Sequence, residues 1–273
     1  MAETTSSSGG NGGRRGLSRG SLLKLGGVLS VTAFVALWQV SVSTGLVSHV
    51  LLPSPIEVVE ALIRVARDGY RGTTLLGDAL ATLGRCLAGF ILATAAGVPL
   101  GLAMGSNRRL AATFDYLIQF LRPLPPLSYM ILLILWFGAG EMSKVVLLFL
   151  TAFPIVVSAA MAGVRSVPLR SLQAARTLGA SPYQVFWHVT LPSALPLIFT
   201  GLKIAFAAAF QTVVAAELLT AQTGLGWMVL SASKFLDNAL VVLGVILLGL
   251  IGMVFSRLLH AADLRFIHWR RVN

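Results

Sequence analysis

Arg122 and Glu217 each lie inside a long apolar stretch. An ionised side chain at membrane depth costs about 2.5 kcal/mol or more and normally faces a partner or an aqueous path, so both are candidates for a translocation path or its gate. A second reading stands beside each: Arg122 could carry its charge out to the interface on its aliphatic stem, and Glu217 could be held in a structural ion pair. Directly after Arg122, Pro123, Pro125 and Pro126 remove three backbone donors within four positions. The chain there must leave the helix and be buried in protein or face water, which suits a gate. Bond-making chemistry finds no equivalent constellation. His49, His188, His260 and His268 lack metal-ligand spacing, Cys86 sits in an apolar run as small packing filler, and no nucleophile is matched with a base. No catalytic residue, metal site or cofactor is assigned to this chain. It also lacks the phosphate loop G-x-x-x-x-G-K-[ST], so ATP hydrolysis by that route is excluded.

The elements that position these residues must be built for lipid. The chain is 56% hydrophobic and only 11% charged, with a mean hydropathy of +0.84, too few charges to cover a soluble globule of 273 residues. The net charge of +11 comes from short basic groups between apolar runs and not from one face or tail, so nucleic acid is not the expected partner. Residues 1–20, rich in Ser and Gly, read as a disordered tail. A first helix is expected over 22–44. Pro53-Ser54-Pro55 then stops the chain, and Ser54 caps an amphipathic helix with Ile56, Val59, Ile63 and Ala66 on its apolar face. Uncharged runs at 86–104, 123–140, 145–164 and 238–256, and a run at 195–219 containing the carboxylate Glu217, each approach the length that crosses a hydrocarbon core of about 30 Å. The chain therefore reads as all-α and integral to the membrane, with about six transmembrane helices across 21–260 and a basic tail over 261–273. Glycine and proline inside these runs, such as Gly97, Pro99 and Pro154, favour kinks and close helix contacts.

Orientation follows from the basic residues of alternate loops. Arg14, Arg15, Arg19, Lys24, Arg108, Arg109, Arg165, Arg170, Arg176 and the arginines from Arg257 onward fall on one side, more than twice as many as Arg64, Arg67, Arg71, Arg85, Lys144 and Lys234 on the other. Both termini are expected in the cytoplasm.

The loop after the fourth span, 169–192, is built for more than connection. Pro168 precedes helix-forming residues, Gly179 supplies a left-handed closing conformation, Ser181 caps a second helix that begins at Pro182, and Leu191-Pro192 is expected to end it. The result is a helix, a glycine bend and another helix on the cytoplasmic side.

Within it, Gln173-Ala174-Ala175, Gly179, Val189, Leu191 and Pro192 resemble the signature of binding-protein-dependent ABC importer permeases: E-A-A, three residues, G, nine residues, I, one residue, L-P. The spacing is kept throughout, with Gln173 in place of glutamate and Val189 in place of isoleucine. Arg122-Pro123-Leu124-Pro125-Pro126-Leu127, Trp136-Phe137-Gly138, and Ala215-Ala216-Glu217-Leu218 with Gly224-Leu225-Gly226 are most similar to the branch that carries taurine, alkanesulfonates and nitrate. The resemblance implies a type I importer fold in a bacterial inner membrane, with 169–192 as the coupling helix that docks on a separate ATPase. It further implies two ATPase copies holding ATP and Mg, an external substrate-binding protein, and a second permease copy in a homodimer. An intramembrane enzyme would need a reactive cluster, and a self-sufficient secondary transporter would need inverted repeats and coupling acids in place of a docking loop.

Overall fold

The protein's structure, a computed structural model, describes residues 19–48 and 51–267. His49, His268, all but the last two residues of the expected N-terminal tail and the last six residues of the chain lie outside them. Two compact units divide the chain between Glu57 and Val58. The first contains α1 (Arg19–Ser43), close to the expected first helix, whose Trp38 indole donates to the Pro53 carbonyl at 3.0 Å. Ser54 caps α2 (Pro55–Asp68): its hydroxyl accepts from the Glu57 amide, and the Glu57 carboxylate accepts from the Ser54 amide at 2.6 Å. At 14 residues α2 is too short to span. Its inward stripe is Val58, Ala61 and Val65, whereas Ile56, Val59 and Ile63 stay exposed, so the apolar face expected from sequence is the outward one.

The second unit is built on α3 (Leu75–Ser106), α6 (Glu141–Arg165), α9 (Leu191–Thr220) and α11 (Asn238–Phe266), each long and apolar enough to cross a membrane. Each exceeds the expected run because polar residues at its ends are helical too. α3 begins eleven residues before Cys86, and α11 carries six residues of the expected C-terminal tail. Gly97, Gly101 and Gly105 form a strip along α3 that lets α6 approach: a Cβ at Gly97 would lie 3.0 Å from the Val156 side chain, and one at Gly101 2.5 Å from the Val157 carbonyl. Small residues at four-residue spacing thus convert backbone proximity into dispersion contact where lipid supplies no hydrophobic drive. Cys86, Phe90, Leu148, Val156, Phe206 and Val213 fill the core between α3, α6 and α9; Cys86 is a free, fully buried thiol, the packing role its setting implied.

Two expectations are corrected. The run 123–140 does not cross by itself: its helix, α5 (Pro126–Phe137), has only 12 residues, and it meets the length and hydropathy of a span only together with α4 (Arg108–Leu121), to which it stands at 99° across the expected break. Pro123 and Pro125 occupy the break and Pro126 starts α5, where its missing donor costs nothing. With α4 and α5 counted as one broken span, the described residues contain up to five helices or pairs of this kind, besides the shorter apolar part of α1 (Leu29–Ser43). The second correction concerns Pro192, which does not end a helix. From α8 (Pro182–Val185) the chain runs through a π-turn (Phe186–Thr190) directly into α9, a continuous helix of 39 residues, Pro182–Thr220. In the π-turn the Leu191 amide donates to the Phe186 carbonyl five residues back, a wider turn that accommodates a proline ring without a break.

Candidate functional site

The segment 169–192 takes the expected bent shape. α7 (Leu169–Thr177) ends at Gly179, whose φ is +82°. The Gly179 amide donates to Arg176 O at 2.9 Å and the Ala180 amide to Ala175 O at 3.1 Å, the paired bonds of a glycine-closed helix end. Ser181 and Gln184 then form a reciprocal cap: the Gln184 amide donates to Ser181 Oγ, and the Ser181 amide to Gln184 Oε1 at 2.8 Å. No residue of α7 is buried. Gln173, Ala174 and Gly179 are exposed, while Ala175, Val189, Leu191 and Pro192 are half-buried. Leu178 is 88% exposed, and Tyr183 and Trp187, whose rings lie 6.0 Å apart, are exposed as well. Ala175, Gly179 and Val189 line a groove of about 470 Å³ together with Leu178 and His188, so motif residues fourteen apart in sequence share one surface.

A second concavity, of about 660 Å³, opens where α5, α6 and α9 diverge at the proline break. Arg122 and Pro126 line it, with Tyr129, Thr151, Ser158, Gln211 and Thr212 as further polar groups. Pro154 of α6 and Gly201 of α9 border it as well.

Glu217 is not on that cavity. It is fully buried near the end of α9, among partners from two other helices. Its Oε1 accepts from Arg85 Nη1 at 2.6 Å, and its Oε2 accepts from Thr82 Oγ1 at 3.0 Å and from the Gly226 amide at 2.9 Å. The neighbouring amides of α10 (Leu225–Lys234) are also matched: Gly224 donates to Asp78 Oδ1 at 2.8 Å and Leu225 to Thr82 Oγ1 at 2.9 Å. Amides that a helix start leaves without internal partners are thus satisfied by α3 and α9. Gly224 and Gly226 leave room for this, since a Cβ on either would press on the Glu217 carboxyl. Arg85 completes the cluster by reaching Glu141 through Nε at 2.5 Å and Nη2 at 2.9 Å, and Thr223 through both its carbonyl and its hydroxyl at 2.8 Å. Lys144 adds a bond to Glu141 at 3.0 Å. One cation thereby ties α3, α6 and α9 to the loop before α10, in the structural ion pair that was the second reading of Glu217.

Sequence reasoning left Asp78, Thr82, Arg85 and Glu141 outside the candidate site. Their signal was present: Asp78, Thr82 and Arg85 recur at spacings of four and three, a polar stripe down one face of α3. Lys203 was also passed over, although it stands in the same span as Glu217. It pairs with Asp263 of α11, a residue expected in the tail.

Membrane-length helices around a cavity at a broken span are the architecture of a transport protein, and the comparisons identify the family. A family model described as "Binding-protein-dependent transport system inner membrane component" matches residues 97–268, and the chain belongs to that family. It is 38% identical over 254 residues to the taurine transport system permease protein TauC of Escherichia coli (strain K12), covering 93% of this chain and 91% of that protein. It is 31% identical to the putative aliphatic sulfonates transport permease protein SsuC of Bacillus subtilis (strain 168), covering 89% and 87%. Bicarbonate transport system permease protein CmpB of Synechococcus elongatus is 32% identical, covering 87% and 86%. Among solved structures, the inward-facing MetNI methionine ABC transporter matches at a TM-score of 0.58 and 22% identity, over 68% of this chain and 95% of that one; this match establishes the fold. The protein is an inner-membrane permease of an ABC importer.

Proposed function

We propose that the chain carries a small solute of the taurine, alkanesulfonate, nitrate or bicarbonate kind into the cytoplasm, on energy from a separate ATPase that docks on segment 169–192. The observation that carries this reading is the continuous helix Pro182–Thr220. It begins at the exposed bend, borders the cavity through Gly201, Gln211 and Thr212, and carries Glu217 in its last turn, so displacement of one end reaches the path and the far cluster as a rigid body. Gln173, Ala174, Ala175, Gly179, Val189, Leu191 and Pro192 are the docking residues in this scheme. Arg122 with Pro123, Pro125 and Pro126 forms the path and its gate. Glu217 braces the outer end and does not touch solute.

Membership of a binding-protein-dependent family supports the rest of the scheme. Two ATPase copies bind ATP and Mg, an external binding protein delivers solute, and a second copy of this chain completes the path around a twofold axis. Both termini and the bend lie in the cytoplasm, and the Arg85 cluster lies near the outer surface. Vesicles holding the permease with its binding protein, assayed with and without the cognate ATPase, test the scheme. Taurine or alkanesulfonate uptake should require both ATPase and ATP; uptake by the permease without either would overturn it.

A further inference from the structure

We propose that the cavity at the proline break is an anion-selective site in which the Arg122 guanidinium alone supplies the selecting charge. The inference rests on the translocation path proposed above and adds the chemical class of ligand that the permease itself favours. Among the described residues that line the cavity, Arg122 is the single ionisable one besides the Tyr129 phenol, and no carboxylate balances it. Among the described residues the guanidinium has no hydrogen-bond or ion-pair partner, in contrast to Arg85, which is saturated by two carboxylates and Thr223. A guanidinium carries its charge at every physiological pH and presents its donors in a planar fork that matches a sulfonate or carboxylate.

The other polar groups sharpen the argument. Thr151 donates to Leu147 O at 2.8 Å, Ser158 to Pro154 O at 2.7 Å and Thr212 to Ala208 O at 2.9 Å, so each hydroxyl hydrogen is spent on its own helix. The Tyr129 phenol is hydrogen-bonded to Thr151, so the donors left for an anion are Arg122 and the Gln211 amide, and only the first is charged. The remaining wall is apolar, from Leu124, Leu150, Ile155 and Ile204. A ligand with one compact anionic head and a short hydrocarbon body fits that division. Arg122 sits at the break between α4 and α5, so an anion seated on it bears on the joint at which the span is bent.

The test uses the full-length permease in lipid nanodiscs, titrated with ethanesulfonate and with ethanesulfonamide, a neutral analogue of nearly the same shape. Unmodified protein should bind the sulfonate at least about tenfold more tightly, the scale of one charge-assisted contact. Arg122→Lys should keep the preference in weakened form, and Arg122→Gln should abolish it while eluting at the same volume as the unmodified protein. No preference in the unmodified protein would overturn the inference. So would an undiminished preference in Arg122→Gln, which would leave Arg122 as an interfacial anchor. ATP-dependent sulfonate uptake by the assembled transporter separates this result from the broader reading. Uptake without charge preference refutes the site alone, whereas charge preference without any such uptake refutes the proposed solute class alone.

Discussion

At the scale of single residues, a charge inside an apolar run has two fates, and Arg122 and Glu217 illustrate one each. The sequence marks both as costly, but it does not say what stands opposite them. That depends on Asp78, Thr82 and Arg85 arriving from a helix more than a hundred residues away, which periodicity along α9 cannot reveal. Glu217→Ala would strip Arg85 of its buried partner and leave the Gly226 amide without an acceptor. Removing one member of a buried pair costs about 3–5 kcal/mol. The expected outcome is a lower thermal unfolding midpoint and a poor yield of folded protein in detergent, with Glu217→Gln affected less because it still accepts from Thr82 and Gly226. A Glu217→Ala protein that is fully stable yet inactive in uptake would return this residue to the solute path.

At the scale of elements, caps and bends were the most legible features. Ser54, Gly179, Ser181 and Pro182 all act as their types dictate, since the chemistry of a helix end is local. The break at Pro123, Pro125 and Pro126 was legible too, whereas Pro192 was misread as a helix end. Whether a proline breaks, bends or merely widens a helix depends on the turn before it, and one extra residue in that turn is invisible to composition. Gly179 gives the sharpest test. No heavy atom lies within 4 Å of a Cβ built there, so a side chain meets open space and the cost of substitution is purely conformational. Gly179→Val should strain the left-handed position by about 1–2 kcal/mol and shift the bend, whereas Gly179→Asn, which tolerates that conformation, should be nearly silent. The measurement is ATP hydrolysed per solute imported, which should rise in the valine variant and stay near normal in the asparagine one. Equal ratios in both would detach the bend from coupling.

At the scale of the whole molecule, orientation was read from loop arginines and is directly measurable. Cys86 is fully buried, so a membrane-impermeant thiol reagent has little background to contend with. A cysteine at exposed Ser233 should label in intact cells, and one at exposed Ser181 only after the membrane is opened. Labelling of Ser181→Cys from outside would invert the topology. The π-turn ahead of α9 also sets the direction in which the bent segment 169–192 faces. A regular helix advances about 100° with each residue, so the one residue added by a π-turn rotates everything before it by about that much relative to everything after. The face of Pro182–Val185 turned toward a partner and the face of Leu191–Thr220 turned toward the cavity are thus set in angular phase by Phe186–Thr190, much as a keyed collar sets two cams on one shaft.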